Sequence, residues 1–175
     1  MTESGAQAVR ELETQLPAGR VLTDPVSTEA YRRDRANDPN AGRPLAVVFA
    51  ETTEEVQLAV RCAAAHAIPI VPRGAGSGLS GGSTAVDGGI VISLERMTDI
   101  HIDAVTRTAV AGPGAMNARV KAAAAAHGLW YPPDPSSFEI CSIGGNVATN
   151  AGGLCCVKYG VTTDYVLGMT VVLAD

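Results

Sequence analysis

Between Ile68 and Leu94 the sequence reads IPIVPRGAGSGLSGGSTAVDGGIVISL, two apolar runs around a loop with glycine at 74, 76, 78, 81 and 82. Glycine at that density leaves main-chain N–H groups facing outward with no Cβ in the way. A concave row of such donors suits a phosphate or diphosphate. A flexible surface loop is the alternative reading. The runs Ile68–Val71 and Gly89–Leu94 read as buried strands that pin the loop at both ends, and this favours the anion cradle.

Gly76-Ser77-Gly78-Leu79-Ser80-Gly81 satisfies G-x-G-x-x-G. The dinucleotide fingerprint also needs a helix to open at that turn. Residues 82–89 have no helical apolar period, so no helix is expected there and an NAD-type site is disfavoured. A P-loop fails because no Lys follows Gly81 or Gly82.

A second group of candidates lies further along. Three prolines in four positions, Pro132, Pro133 and Pro135, make 131–137 a stiff extended loop. Gly144-Gly145 allows close approach of a ligand or another backbone. Asn146, Thr149 and Asn150 share one face of a short helix by their i, i+3, i+4 spacing. They offer neutral hydrogen-bonding groups, either to solvent or to something flat packed against them.

These candidates need a scaffold. Ser4–Leu16 has helical spacing (Val9, Leu12, Leu16), and Pro17 with Gly19 ends it. Val21-Leu22 reads as a short strand and Ser27–Tyr31 as a helical turn. Residues 32–44 read as a surface loop whose Arg32, Arg33 and Arg35 are solvated, with contact to a cofactor or partner as the lesser alternative. Leu45–Ala50 is a buried strand. Thr52 to Glu55 spells a capping box, opening a helix to Ala65 with Val56, Ala59, Val60, Ala63 and Ala64 on its apolar face. His66 and His127 read as cations near helix C-termini. Residues 45–72 thus make a β-α-β unit, with the glycine-rich loop leaving its second strand at the carboxyl end, where ligands of open α/β sheets bind. Ile90–Leu94 is the next strand. Ile100–Asp103 and Thr108–Ala111 form a hairpin, Met116–His127 a helix capped by Gly128, and Val166–Ala174 a last strand.

The chain has 175 residues, enough for one domain or two small lobes, and 46% are hydrophobic. With one Trp, four Tyr and two Phe, Ala, Val, Ile and Leu must fill the core. A net charge of −5 argues against nucleic acid and anionic membrane surfaces as partners. The longest apolar run, near Ala122–Ala126, is far short of the ~20 residues of a transmembrane span. The N-terminus has no signal-peptide h-region, and a cytoplasmic setting is expected by default. Cys62, Cys141, Cys155 and Cys156 contain no C-x-x-C and read as free thiols, with no metal site.

Three motifs in order, PRGAGSGLSGG (72–82), YPPDPSS (131–137) and CSIGGNVATNAGGLCCVKYG (141–160), resemble the FAD-linked oxidase family. Its flavin domain is of the PCMH or vanillyl-alcohol-oxidase type. The branch most similar is that of D-lactate dehydrogenase and the glycolate oxidase D-subunit. The resemblance covers 44–175 as an FAD-binding domain, preceded by an N-terminal helix and loop at 1–43. It implies a two-lobed α/β fold, an N-terminal β-α-β lobe and a second lobe of mixed sheet with helices, with FAD bound between them. It implies that Pro72, Arg73, Gly74, Ala75, Gly76, Ser77, Gly78 and Leu79 cradle the diphosphate of FAD. Pro133, Asp134, Pro135 and Ser136 would line the cofactor. Ser142, Gly145, Asn146, Thr149, Asn150 and Gly153 would contact the ribityl chain and the flavin ring.

Two departures from the family matter. Some relatives attach FAD through a His in the glycine-rich loop, at the position that here resembles Ser77, so non-covalent FAD is expected. The family continues into a substrate domain with catalytic and metal-binding histidines. His66, His101 and His127 do not match those positions, so no catalytic residue is assigned, and the chain reads as a fragment without that domain. The resemblance implies oxidation of a small 2-hydroxy acid by hydride transfer to FAD, with an unidentified electron acceptor. The alternative is a stand-alone flavin-binding or electron-relay subunit lacking its own substrate site.

Overall fold

Strand and helix signals resolve in a computed structural model that describes residues 2–174. The chain forms two compact units, one of residues up to Arg96 together with those from Val171, the other Met97–Thr170.

In the first unit, α1 (Glu3–Gln15) starts at Thr2, whose hydroxyl accepts from Gly5 N. β1 (Val21–Leu22), α2 (Pro25–Thr28) and a 3-10 turn (Glu29–Tyr31) follow. β2 (Ala46–Phe49), α3 (Thr53–Ala65) and β3 (Ile70–Arg73) make the expected β-α-β unit. β4 (Ile90–Ser93) then inserts between its two strands, giving the sheet order β1-β2-β4-β3. β2, β4 and β3 are parallel, with Val47 and Val71 both in register with Val91, and β1 runs antiparallel to β2. β2 and β4 are buried throughout, as continuous apolar strands covered on both faces should be. β3 is an edge, and Pro72 lies in it.

The two sheet faces divide by the period of two. Val48, Ile90 and Ile92 pack with Ala8 and Leu12 of α1, with Leu16 just after it, and with Ala59, Val60 and Ala63 of α3. Val47, Phe49, Val71 and Val91 pack on the other face with Ala85, joined by Leu22 and Tyr31. The N-terminal helix is therefore part of the same core as the strands. On α3 the buried stripe takes in Cys62, whereas Ala64 is exposed, because the helix axis turns that face toward Ala8 of α1, whose carbonyl accepts from Cys62 Sγ.

The capping box is half formed. Thr52 Oγ1 accepts from Glu55 N at 3.2 Å. Glu55 does not return to Thr52 N; its carboxylate accepts from Glu51 N at 2.7 Å and from Arg20, because the nearby guanidinium turns it outward. His66 at the end of α3 holds Glu11 of α1 through Nε2 at 3.0 Å, so it ties two helices together.

In the second unit, β5 (Ile100–Asp103) and β6 (Thr108–Ala111) form the hairpin, with Ile100 opposite Ala111. α4 (Asn117–Ala125) ends at Gly128, which has φ +70° while Leu129 N donates to Ala124 O. α5 (Ile143–Thr149), α6 (Cys156–Tyr159) and a 3-10 turn (Thr162–Tyr165) complete it. The strand expected at Val166–Ala174 is not formed. Its apolar residues alternate, but no described strand pairs with them, and Leu167, Met169, Val171 and Leu173 are exposed. Among the described residues no helix is long and apolar enough to cross a membrane.

Leu12 is fully buried between α1, α3 and the sheet. Leu12→Ala is expected to cost about 2–5 kcal/mol in urea unfolding, although it lies outside every sequence motif.

Candidate functional site

The glycine-rich loop begins where β3 ends, with Leu94 N donating to Arg73 O at 2.9 Å to lock the strand end. No helix follows it, as the absence of a helical period predicts. Gly76 and Gly81 have φ of +65° and +77°. Arg73 is 8% exposed. Its guanidinium runs beneath the loop, Nη1 donating to Ser83 O at 3.2 Å, and lies 5.7 Å from the centre of the Tyr31 ring. A Cβ on Gly76 would stand 2.2 Å from Arg73 Nη2, so glycine is needed there for both space and φ. Burial pulls the Arg73 pKa below the usual arginine value, while Asp34 pulls it back up. An arginine stays charged in either case.

The main-chain N–H groups of Gly76, Ser77, Gly78 and Leu79 meet no acceptor among the described residues. Gly78 and Leu79 are exposed, and Gly74 to Ser77 half-buried. Four free donors above a buried cation suit a diphosphate, so this loop fits the phosphate part of a dinucleotide cofactor.

The segment 32–44, expected to be a solvated surface loop, is exposed from Arg35 to Asn40 and at Arg43, but it also braces the glycine-rich loop. Arg35 N donates to Gly76 O at 3.2 Å and Ala85 N to Arg32 O at 2.8 Å. The Arg32 guanidinium is bound to the carbonyls of Ala41 and Gly42, and Arg33 pairs with Glu29 at 2.9 Å. The carbonyls left unpaired by this irregular stretch draw the arginines in. Asp34, 6% exposed, belongs to the same brace and is not among the residues picked out from the sequence. A polar, turn-rich stretch gave no signal that one carboxylate in it is buried.

In the second unit the two remaining motifs are locked to each other. A Cβ on Gly153 would lie 2.0 Å from Asp134 O, and Cys155 N donates to Asp134 Oδ1 at 3.2 Å. Asn117, fully buried, donates to Pro133 O at 3.3 Å and to Asn146 Oδ1 at 3.0 Å. Asn146 in turn donates to Cys141 Sγ at 3.1 Å. Ser142 caps α5, accepting from Gly145 N. An Ala-rich helix suggests only packing, so the sequence around Asn117 carries no signal of its buried hydrogen bonds.

The face of Asn146, Thr149 and Asn150 is therefore divided. Asn146 is 3% exposed and held by its own unit. Thr149 donates back to Gly145 O, and Asn150, left-handed at φ 47°, accepts from Thr163. Thr149, Asn150 and Ser136 are exposed, and Gly145 and Gly153 half-buried. Within this unit these residues could offer a flat ring neutral hydroxyl, amide and main-chain groups.

A model of the FAD binding domain family matches residues 44–175. The chain belongs to that family. It is 41% identical over 165 residues to D-2-hydroxyglutarate dehydrogenase of Stutzerimonas stutzeri, covering 94% of this chain and 35% of that protein. It is 42% identical over 154 residues to glycolate oxidase subunit GlcD of Bacillus subtilis, covering 79% of this chain and 33% of that one. These residues span about a third of the length of the curated relatives they match. Among solved structures, alkyldihydroxyacetonephosphate synthase superposes with a TM-score of 0.86 at 24% identity, over 97% of this chain and 36% of that one, which bears out the fold. The family's cofactor is FAD, and the glycine-rich loop fits its diphosphate.

Away from the loop, Glu11, Cys62 and His66 bring possible metal-ligand atoms within 4.8 Å of one another. Burial and the neighbouring Glu11 push the Cys62 thiol up to about 11, and its Sγ donates to Ala8 O, so at neutral pH it is a protonated core thiol.

Two expectations follow. Gly76→Ala forces a methyl into the Arg73 guanidinium in a left-handed conformation. It is expected to weaken FAD binding about tenfold or more, in line with the ~1–2 kcal/mol cost of that conformation alone, read by titrating flavin fluorescence. Between about 9, the thiol's ordinary value, and about 11, Cys62 is ionised in the unfolded chain only. Stability from this group is whole below pH 9 and lost as pH rises through 11. Urea unfolding at pH 8 and pH 10.5 should show the margin of wild type over Cys62→Ala shrinking by on the order of 1–2 kcal/mol.

Proposed function

We propose that residues 44–175 are the FAD-holding domain of a cytoplasmic, flavin-dependent oxidoreductase that oxidises a small 2-hydroxy acid. The observation that carries this reading is the row of four main-chain donors, Gly76 to Leu79, without acceptors above the buried Arg73. The substrate class is supported by relatives named for hydroxyglutarate and glycolate. The setting is supported by four free cysteines, as expected of a reducing compartment.

Bound FAD would supply a two-electron acceptor for the C–H bond beside the substrate hydroxyl. The chain's own contribution is to bind and orient. Within Pro72–Leu79 the main-chain N–H groups of Gly76 to Leu79 hold the diphosphate, with Pro72 to Ala75 shaping the turn that carries them and Arg73 offsetting its charge. Pro133, Asp134 and Ser136 line the cofactor. Ser142, Gly145, Asn146, Thr149, Asn150 and Gly153 shape the wall beside the ring and ribityl chain, with Asn146 acting through the buried Asn117–Asn146–Cys141 network that sets the position of α5. No residue of this chain is assigned to the substrate or to the electron acceptor. Ser77 stands where an attaching histidine would be expected, which supports dissociable FAD.

The full-length protein is expected to bind FAD stoichiometrically and to release all of it on denaturation. Its visible flavin absorbance should bleach on anaerobic addition of glycolate, D-lactate or D-2-hydroxyglutarate. A protein that takes up no FAD overturns the reading. FAD uptake with no bleaching by any 2-hydroxy acid overturns the substrate class, and colour kept by the denatured chain overturns non-covalent attachment.

A further inference from the structure

Among the described residues of the first unit, two buried polar side-chain atoms have no hydrogen-bond partner, Asp34 Oδ2 and Thr84 Oγ1. Both lie against the glycine-rich loop. Asp34 Oδ2 is the one atom within 4 Å of where a Cβ on Gly78 would be, at 3.8 Å, and Thr84 Oγ1 stands likewise 3.8 Å from that of Gly81. Asp34 is held firmly: its Oδ1 accepts from Ala36 N at 2.9 Å, and its carbonyl accepts from Asn37 N. The next residue, Arg35, is bonded to Gly76 O. One carboxylate oxygen is thus fixed, more than nine-tenths buried, and set beneath the loop with no side chain at Gly78 to cover it further. The Arg73 guanidinium nearby offsets part of its charge, but an acceptor without a hydrogen-bond donor is costly when buried, and a carboxylate beside a phosphate cradle weakens the pull of that cation on an anion.

Both costs are removed by a ligand that carries a proton donor next to its phosphates. We propose that Asp34 is a ligand-binding residue of this loop, its Oδ2 accepting a hydrogen bond from a sugar or ribityl hydroxyl adjoining the diphosphate. This rests on the assignment of FAD to the loop. Gly76 to Leu79 take the phosphate oxygens, Thr84 is placed to donate to one of them, and Asp34 takes the hydroxyl. The arrangement selects a diphosphate ester flanked by a polyol over a bare polyanion, because inorganic pyrophosphate meets the negative charge and brings no compensating donor.

The test compares the full-length wild type with Asp34→Asn and Gly78→Ala, titrated with FAD, FMN, ADP and inorganic pyrophosphate. Asp34→Asn removes the charge and is expected to weaken FAD about tenfold or more, the worth of a hydrogen bond to a charged group, while pyrophosphate binds tighter. Opposite shifts for the two ligands cannot come from a damaged fold. Gly78→Ala sets a methyl 3.8 Å from the carboxylate oxygen, in the path of a ligand hydroxyl and at a position without positive φ, so it keeps the test open if Asp34→Asn fails to fold; it too should lose FAD. Weakening of FMN but not ADP assigns the hydroxyl to the ribityl chain, and the reverse to the ribose; either supports the proposal. If wild type binds FAD and both variants bind it within twofold, Asp34 is not a ligand residue, while the FAD reading stands. If wild type takes up no FAD, the reading itself has failed.

Discussion

The contact between the Arg73 guanidinium and the bare Cα of Gly76 sets the shape of the first unit's loop. A cation at the end of a parallel strand has been folded under its own chain, and the chain above it can lie that close only without a side chain. With this one contact go the left-handed turn at Gly76 and a positive charge beside the following N–H groups, which have no acceptor among the described residues. The sheet anchors it from one side, through Leu94 N on Arg73 O. The 32–37 turn anchors it from the other, through Arg35 N on Gly76 O. Binding strength here comes from geometry fixed before the ligand arrives, which is what a chain of net negative charge requires to hold an anion.

The second unit works by a different economy. Its conspicuous polar residues are mostly consumed in holding its own loops: Asn117 on Pro133 and Asn146, Asn146 on Cys141, Asn150 on Thr163, Asp134 on Cys155. A proline-rich segment has few N–H groups with which to fasten itself, so neighbouring amides do it. Gly153 is small because Asp134 lies directly on it.

Much of this was legible in the sequence. Periodicity marked β2, β4, α1, α3 and the hairpin, because burial on one or both faces leaves a direct trace in residue order. The missing helical period after Gly81 separated this loop from a dinucleotide turn of the Rossmann kind. What stayed hidden depended on partners distant in sequence. Residues 32–44 are polar and turn-rich whether they face water or pack on a loop forty residues away. The run 166–174 alternates like a strand, but alternation cannot supply a neighbour to pair with. Glu55 follows the capping pattern, yet Arg20 competes for its carboxylate. Asp34 illustrates the limit best, since nothing in its neighbours distinguishes a buried carboxylate from a solvated one.

Pro72 sits in β3, the outer strand of the first unit's sheet, immediately before the loop. An unpaired strand margin is a template on which another chain can polymerise, and proline removes a hydrogen-bond donor such an intruder would need. The residue that stiffens the approach to the cradle therefore also discourages fibril-like stacking of newly made chains. Replacing it would trade conformational restraint for a self-association hazard that no ligand-binding measurement would detect.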